Sequence, residues 1–245
     1  MRADKYLAQA GLGTRSEIKK MIRAGRVTLD GAAVRDPGLR VPEGGDLRLD
    51  GNPVAYEAFV YYMMNKPAGI ITATRDGREP TVLDLIEEPR RKDLFPVGRL
   101  DRDTEGLLLI TNDGALGHRL LAPGRHVDKV YYARVRGEIT QEHARLFAGG
   151  LKVDETLTAM PAELKILGLS RENGETVTEA EVTIREGKFH QVKRMFAAVG
   201  GEVLYLKRLS MGSLRLDPSL LPGEWRRLTQ EELDGIIMGT GGQPS

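Results

Sequence analysis

Cysteine is absent from the chain. That excludes a disulfide scaffold, an iron–sulfur centre, a thiol nucleophile and a thiolate zinc site. Aromatic residues are scarce, at 5% with a single Trp, too few for a ring-lined sugar cleft. No apolar run nears the roughly 18 residues of a membrane span; the longest clean one is Leu107-Leu108-Leu109-Ile110. The first residues, MRADKYLAQAG, carry charge but no apolar core, so no secretion signal is read there and a cytoplasmic location is expected. The four histidines form no H-E-x-x-H pair, and each reads as a surface or hydrogen-bonded side chain with no metal site. Phosphate-binding G-x-x-x-x-G-K-[ST] and nucleophile G-x-S-x-G patterns are missing, and Gly11-Leu12-Gly13 follows a helix where a dinucleotide fingerprint would follow a strand. No cofactor is called for. Carboxylate chemistry remains.

The net charge of +1 conceals an asymmetry. Residues 1–26 carry seven basic side chains (Arg2, Lys5, Arg15, Lys19, Lys20, Arg23, Arg26) against Asp4 and Glu17. Residues 185–208 carry six (Arg185, Lys188, Lys193, Arg194, Lys207, Arg208) against Glu186 and Glu202. Two basic blocks in a neutral chain point to two polyanion-facing surfaces, with solvated helix faces as the competing reading. In the first block, 4–10 reads as a short helix stopped by Gly11. Thr14-Arg15-Ser16-Glu17 is a capping box, opening a helix with Ile18, Met21 and Ile22 on one face and the basic residues mostly on the other. Gly25 ends it, 27–29 is a strand, Asp30-Gly31 a hairpin turn, and Asp50-Gly51-Asn52-Pro53 a break. The segment RADKYLAQAGLGTRSEIKKMIRAGRVTLDG closely resembles the S4 RNA-binding domain. On that resemblance Arg15, Lys19, Lys20, Arg23 and Arg26 are expected to contact phosphates.

The chain beyond this unit reads as a larger domain over 58–238, after an S4 domain over 1–57. Strands are expected at 59–64, 70–74, 106–110, 129–136, 179–185 and 203–209. The segments 65–69 and 112–114 read as turns, and helices fall at 115–121, 140–148 and 189–199, with Thr229 capping a last one. Strands outnumber scattered helices, which is α+β: a mixed or antiparallel sheet with peripheral helices. Residues 239–245 (GTGGQPS) read as a disordered tail.

The densest polar cluster beside a buried strand is Gly98-Arg99-Leu100-Asp101-Arg102-Asp103-Thr104-Glu105-Gly106. If 99–101 is extended, Arg99 and Asp101 share a side while Leu100 anchors the other. A neighbouring Arg keeps a carboxylate ionised. By itself the run reads as a charged loop between two strands, since such loops are common. GRLDRDTEGLLLITNDG (98–114), however, matches without a gap the signature G-R-L-D-x-x-[ST]-x-G-L-L-L-x-T-N-D-G of the RsuA-type pseudouridine synthases, which it closely resembles. MNKPAG (64–69), Lys129-Val130-Tyr131 and EGKFHQVKRMFAAVG (186–200) agree in order.

The resemblance implies isomerisation of uridine to pseudouridine in RNA: the N-glycosidic bond breaks, the uracil turns while held, and a carbon–carbon bond forms at C5. It implies that Asp101 is the essential carboxylate, by attack on the ribose or by abstraction of a ribose proton to give a glycal. Tyr131 is implied to stack on the uracil and Lys193 to pair with the aspartate. Arg99 is added as an electrostatic or positioning group, and Arg194, Lys207 and Arg208 as lining for the RNA path, while His190 and Gln191 read as structural. Ribosomal RNA is the implied partner, and the compact chain points to the small-subunit 16S RNA, with uridine 516 the expected target. The enzyme is expected to act as a monomer away from membranes. Two rivals share the residues. One is a non-catalytic S4-type RNA binder. The other is a carboxylate-pair glycosidase, which needs two carboxylates facing one bond at roughly 5–9.5 Å. A large-subunit ribosomal RNA target is the alternative within the family.

Overall fold

The structure is a computed structural model that describes residues 1–42, 44–54, 57–88 and 91–241. It divides into two compact units, Met1–Phe59 with Glu87–Asp93, and Val60–Ile86 with the chain from Leu94 onward. No sequence signal marks the return of Glu87–Asp93 to the first unit, where Gln9 Nε2 donates to Asp93 Oδ2 at 3.4 Å.

In the first unit, helix α1 (Ala3–Gln9) precedes α2 (Arg15–Arg23). The expected capping box on α2 is present: the Glu17 amide donates to Thr14 Oγ1 at 3.3 Å, and the Thr14 amide donates to Glu17 Oε2 at 2.8 Å. This satisfies two amides the helix start would otherwise leave open, a contribution of about 1 kcal/mol. Leu7, Ile18 and Ile22 are buried against Val27 and Leu47. Four short strands, β1 (Val27–Leu29), β2 (Ala32–Ala33), β3 (Leu47–Leu49) and β4 (Asn52–Pro53), form a sheet in the order β2-β1-β3-β4. Asp30 and Gly31 both take positive φ (49° and 81°), the hairpin geometry expected of Asp-Gly. Asp50 and Gly51 repeat it, so the expected break is a second hairpin turn that pairs β3 with β4.

The second unit is one mixed sheet. Its strands are β5 (Tyr61–Lys66), β6 (Phe95–Val97), β7 (Glu105–Thr111), β8 (Lys129–Arg136), β9 (Glu163–Glu172), β10 (Glu175–Ile184), β11 (Glu202–Met211), β12 (Leu214–Arg215) and β13 (Trp225–Arg227). The path runs β13-β5-β7-β11-β8-β10-β9, with β6 on β7 and β12 on β11. Among the described pairs of strands, only β7 and β11 run parallel. Helices α3 (Gly114–Leu121), α4 (Gln141–Gly149), α5 (Gln191–Ala198) and α6 (Gln230–Gly239) accompany it. This is the α+β architecture read from the sequence.

Several local readings change. Asn65 and Lys66 continue β5 and do not begin the turn. The segment 70–74 keeps a single bridge, Ile71 to Thr81, and is otherwise loop. Asn112-Asp113-Gly114 is the start of α3, with Asp113 Oδ1 accepting from the Leu116 amide at 3.0 Å. The sequence pattern predicts no element at β9, although Asn173-Gly174, at φ 52° and 85°, is a hairpin turn pairing it to β10. The first residues of the expected tail are ordered. Gly239 ends α6, Thr240 is buried with its hydroxyl donating to Ile236 O and Ile237 O, and 242–245 lie outside the described residues. Among the described residues, no helix is long and apolar enough to cross a membrane.

Candidate active site

The segment 98–104 is fastened on two sides. Leu100 turns into the core with Tyr131, Val182 and Leu206. Thr72 Oγ1 donates to Leu100 O at 2.8 Å and accepts from the Leu100 amide at 3.2 Å. The Thr104 amide closes a turn onto Asp101 O at 3.1 Å. Beneath this turn lies Lys66, fully buried, whose ammonium donates to Pro67 O (2.9 Å), Arg102 O (3.2 Å) and Thr104 O (2.9 Å). Burial pulls its pKa down to about 8, against the attraction of Asp103, Glu105 and Asp101. Glu105 in turn accepts from the Tyr205 hydroxyl at 2.7 Å.

Where β7 meets β11, Gly106 faces Arg208. A Cβ at Gly106 would stand 2.3 Å from the Arg208 carbonyl oxygen, and φ is +100°. Only glycine fits there, so the glycine that follows the acidic turn sets how closely the two parallel strands approach.

This framework holds the Asp101 carboxylate, 27% exposed, between the Lys193 ammonium and the His190 ring. Lys193 Nζ, from α5, is 3.2 Å from Asp101 Oδ2 and 2.5 Å from Asp103 Oδ1. His190 Nε2 is 3.5 Å from Asp101 Oδ1. Burial pushes the Lys193 ammonium towards a lower pKa, but its bonds to Asp103 and Asp101 outweigh this and hold it above the ordinary lysine value. Burial likewise raises the Asp103 carboxyl, and pairing with Lys193 overrides it, leaving the group below its usual range. A lysine kept charged thus stands beside the Asp101 carboxylate.

Asp101, Tyr131, Lys193 and Arg99, the four residues expected from sequence, line one cleft, with Ile184, Val192 and Leu206 as apolar wall. Tyr131 is buried on the inward face of β8. Arg99 stands on the rim. The cleft opens past Asp101 into a second hollow lined by Thr72, Arg99, Arg102, Lys188, Phe189 and His190. Arg102 is fixed there by Gly69 O at 3.1 Å and by Glu79.

Three partners lie beyond the sequence reading. His190 reads as structural, yet its ring reaches Asp101. Asp103 reads as a solvated loop residue; it is 74% exposed and shares Lys193 all the same. Lys66 reads as part of a turn. Its three acceptors include carbonyls 36 and 38 residues away, so nothing local announces it.

Among the expected RNA contacts, Arg208 requires correction. It is 2% exposed, its Nε donating to Leu107 O at 2.7 Å, because the β11 pleat turns Leu206, Arg208 and Ser210 inward. It cannot line a surface path. Arg194 is also engaged: its guanidinium grips Asp154, Thr156 and the Phe189 carbonyl, binding α5 to neighbouring loops. Lys207, on the opposite pleat to Arg208, is half-buried. In the first unit Arg15, Lys20 and Arg23 are exposed and Lys19 half-buried on α2, whereas Arg26 forms a two-pronged pair with Asp50 at 2.9 and 2.5 Å.

Residues 60–198 match the family described as RNA pseudouridylate synthase, and residues 1–47 match the S4 domain. An uncharacterized RNA pseudouridine synthase, YtzG of Bacillus subtilis strain 168, is 48% identical over 95% of this chain and 97% of its own. Ribosomal small subunit pseudouridine synthase A of Escherichia coli strain K12 is 40% identical over 97% of this chain and all of its own. A crystal structure of a pseudouridylate synthase, 33% identical, superposes with a TM-score of 0.66 over 97% of this chain and all of that one. The chain therefore belongs to the RNA pseudouridylate synthase family, in its RsuA type, and is an isomerase that converts uridine in RNA to pseudouridine.

Proposed function

We propose that the chain modifies a uridine of ribosomal RNA, in the small subunit and at uridine 516 of the 16S molecule, with Asp101 as the reacting carboxylate and no cofactor. The observation that carries the reading is the Asp101 carboxylate held between Lys193 and His190 at the mouth of a cleft walled by Tyr131, Val192 and Leu206. The isomerisation has no net redox change or hydrolysis, so a carboxylate that is an anion on arrival supplies the nucleophile or base directly. Asp101 acts at the ribose. Tyr131 stacks on the uracil while it turns, and the apolar wall limits water at the leaving anion. Lys193 and Arg99 balance charge at the rim. The target must leave its stack, at roughly a few kcal/mol, offset by contacts to the RNA backbone. Arg15, Lys19, Lys20 and Arg23 on α2 supply phosphate contacts that give affinity without sequence choice. The enzyme acts as a monomer.

The choice of small-subunit RNA is supported by the Escherichia coli relative of that name, aligned over nearly the whole chain. Carbodiimide mapping of ribosomal RNA from a deletion strain tests it. Loss of one small-subunit pseudouridine, restored by the gene, is expected; loss confined to large-subunit RNA would overturn the assignment.

A further inference from the structure

Phe189 is 73% exposed, a large aromatic turned to solvent in a chain with few aromatics to spare. It lines the outer hollow together with Asp101, Arg99, Arg102 and Lys188. One face of its ring is covered by His190, with centroids 3.8 Å apart and planes 19° off parallel. His190 itself touches Asp101.

The turn that displays this pair is built for it. His190 takes a left-handed conformation, φ 48° and ψ 32°, which costs a non-glycine residue of order 1 kcal/mol or more. Neighbouring bonds hold it there. The Lys188 amide donates to Gln191 Oε1 at 2.9 Å, and Gln191 Nε2 donates to Glu186 Oε1 at 2.7 Å. Arg194 Nη1 donates to the Phe189 carbonyl at 3.3 Å, though its guanidinium already grips Asp154. A strained, cross-braced turn presenting an apolar ring to water at the mouth of a reactive cleft does not serve the core.

We propose that Phe189 is a stacking platform: the nucleobase adjoining the target uridine lies on its open face, extending the His190–Phe189 stack by one ring. Single-stranded RNA fits this because its bases are free to splay out and stack on aromatic rings, and every base has a π-face to offer. Arg99 and Lys188 line the same hollow, beside Asp76 and the Glu79-paired Arg102, and suit the phosphates on either side. The platform holds the strand in register while the neighbouring uridine enters beside Asp101. It rests on the reading of the Asp101 cleft as the reacting site.

The test uses the full chain and a ribosomal RNA fragment containing the target, either intact or with the nucleotide on one side of the target made abasic. Phe189→Leu keeps an apolar side chain and removes the ring. At an exposed position it leaves the thermal midpoint unchanged. It is expected to lower kcat/KM about five- to a hundredfold, mostly through KM, and Phe189→Trp to restore it. One of the two abasic fragments should cost the wild type a similar factor and cost Phe189→Leu nothing further. Indole emission in Phe189→Trp, beyond that of the native Trp225, should be quenched by the intact fragment. Unchanged kcat/KM in Phe189→Leu, or losses from variant and abasic site that simply multiply, would overturn the platform while leaving the cleft reading intact. Full activity in Asp101→Asn would overturn both.

Discussion

At the residue scale, the site is a chain of compensated charges. Asp101 is paired with Lys193 and touched by the His190 ring, Lys193 is shared with Asp103, and the turn carrying both carboxylates sits on the buried ammonium of Lys66. Replacing Lys66 by Met leaves three carbonyls without their donor, each worth about 1–3 kcal/mol if no water reaches it. The sign of the pH effect follows from its depressed pKa. The unfolded chain keeps this proton up to the ordinary value of 10.5, whereas the folded chain releases it near 8. Between these values unfolding takes up a proton, so this group's contribution to stability increases as pH rises. The stability of the wild type relative to Lys66→Met should therefore grow, by at most about 1.4 kcal/mol per pH unit, between pH 8 and 10 in urea denaturation. A difference flat in pH would show that Lys66 is not held as described. Asp101 and Lys193 are legible only because the GRLD and HQVKR runs match a family signature; charge alone leaves them in a solvated loop and a solvated helix. Lys66 and His190 act through partners that are remote in sequence or that depend on a left-handed backbone, and neither has a local signal.

At the element scale, the strand pleat and the helix caps decide which charges are available. Lys207 and Arg208 are neighbours in one basic block, yet the pleat of β11 buries the second. Counting cations along a strand does not give its face; period-two alternation with Leu206 and Ser210 does. The α2 helix is legible in detail, since its capping box, apolar stripe and Gly25 stop are all short-range. β9 is not, because an edge strand with a mostly exposed pattern lacks the apolar alternation that betrays a strand, though its Asn-Gly turn is readable. Reversing charge at Lys19 and Lys20 should weaken RNA binding at low salt and flatten the slope of log affinity against log salt by about 0.7 for each phosphate no longer neutralised. An unchanged slope in a salt titration would remove α2 from the interface. Where β7 passes β11, Gly106→Ala forces a Cβ into the Arg208 carbonyl, and a destabilisation of about 3 kcal/mol or more is expected in thermal denaturation. A fully stable variant would contradict the close approach of these strands.

At the scale of the whole molecule, two units divide the labour that the sequence advertises as two basic blocks. The first unit folds around Leu7, Ile18 and Ile22 and presents cations. The second brings Asp101, Tyr131 and Lys193 into one cleft, with Lys66 under the acidic turn, although the four come from two strands, a loop and a helix. That convergence is a property of the mixed sheet, whose central parallel pair no local pattern encodes, and it is why the cleft itself cannot be drawn from sequence. The chemistry assigned to it depends on one carboxylate being charged and correctly held. The most direct measurement is tritium release from uridine-labelled ribosomal RNA by Asp101→Asn, with RNA affinity measured in parallel. No release above background is expected, at wild-type affinity, since an amide can neither attack nor abstract, and the RNA contacts remain. Sustained turnover by that variant would contradict it.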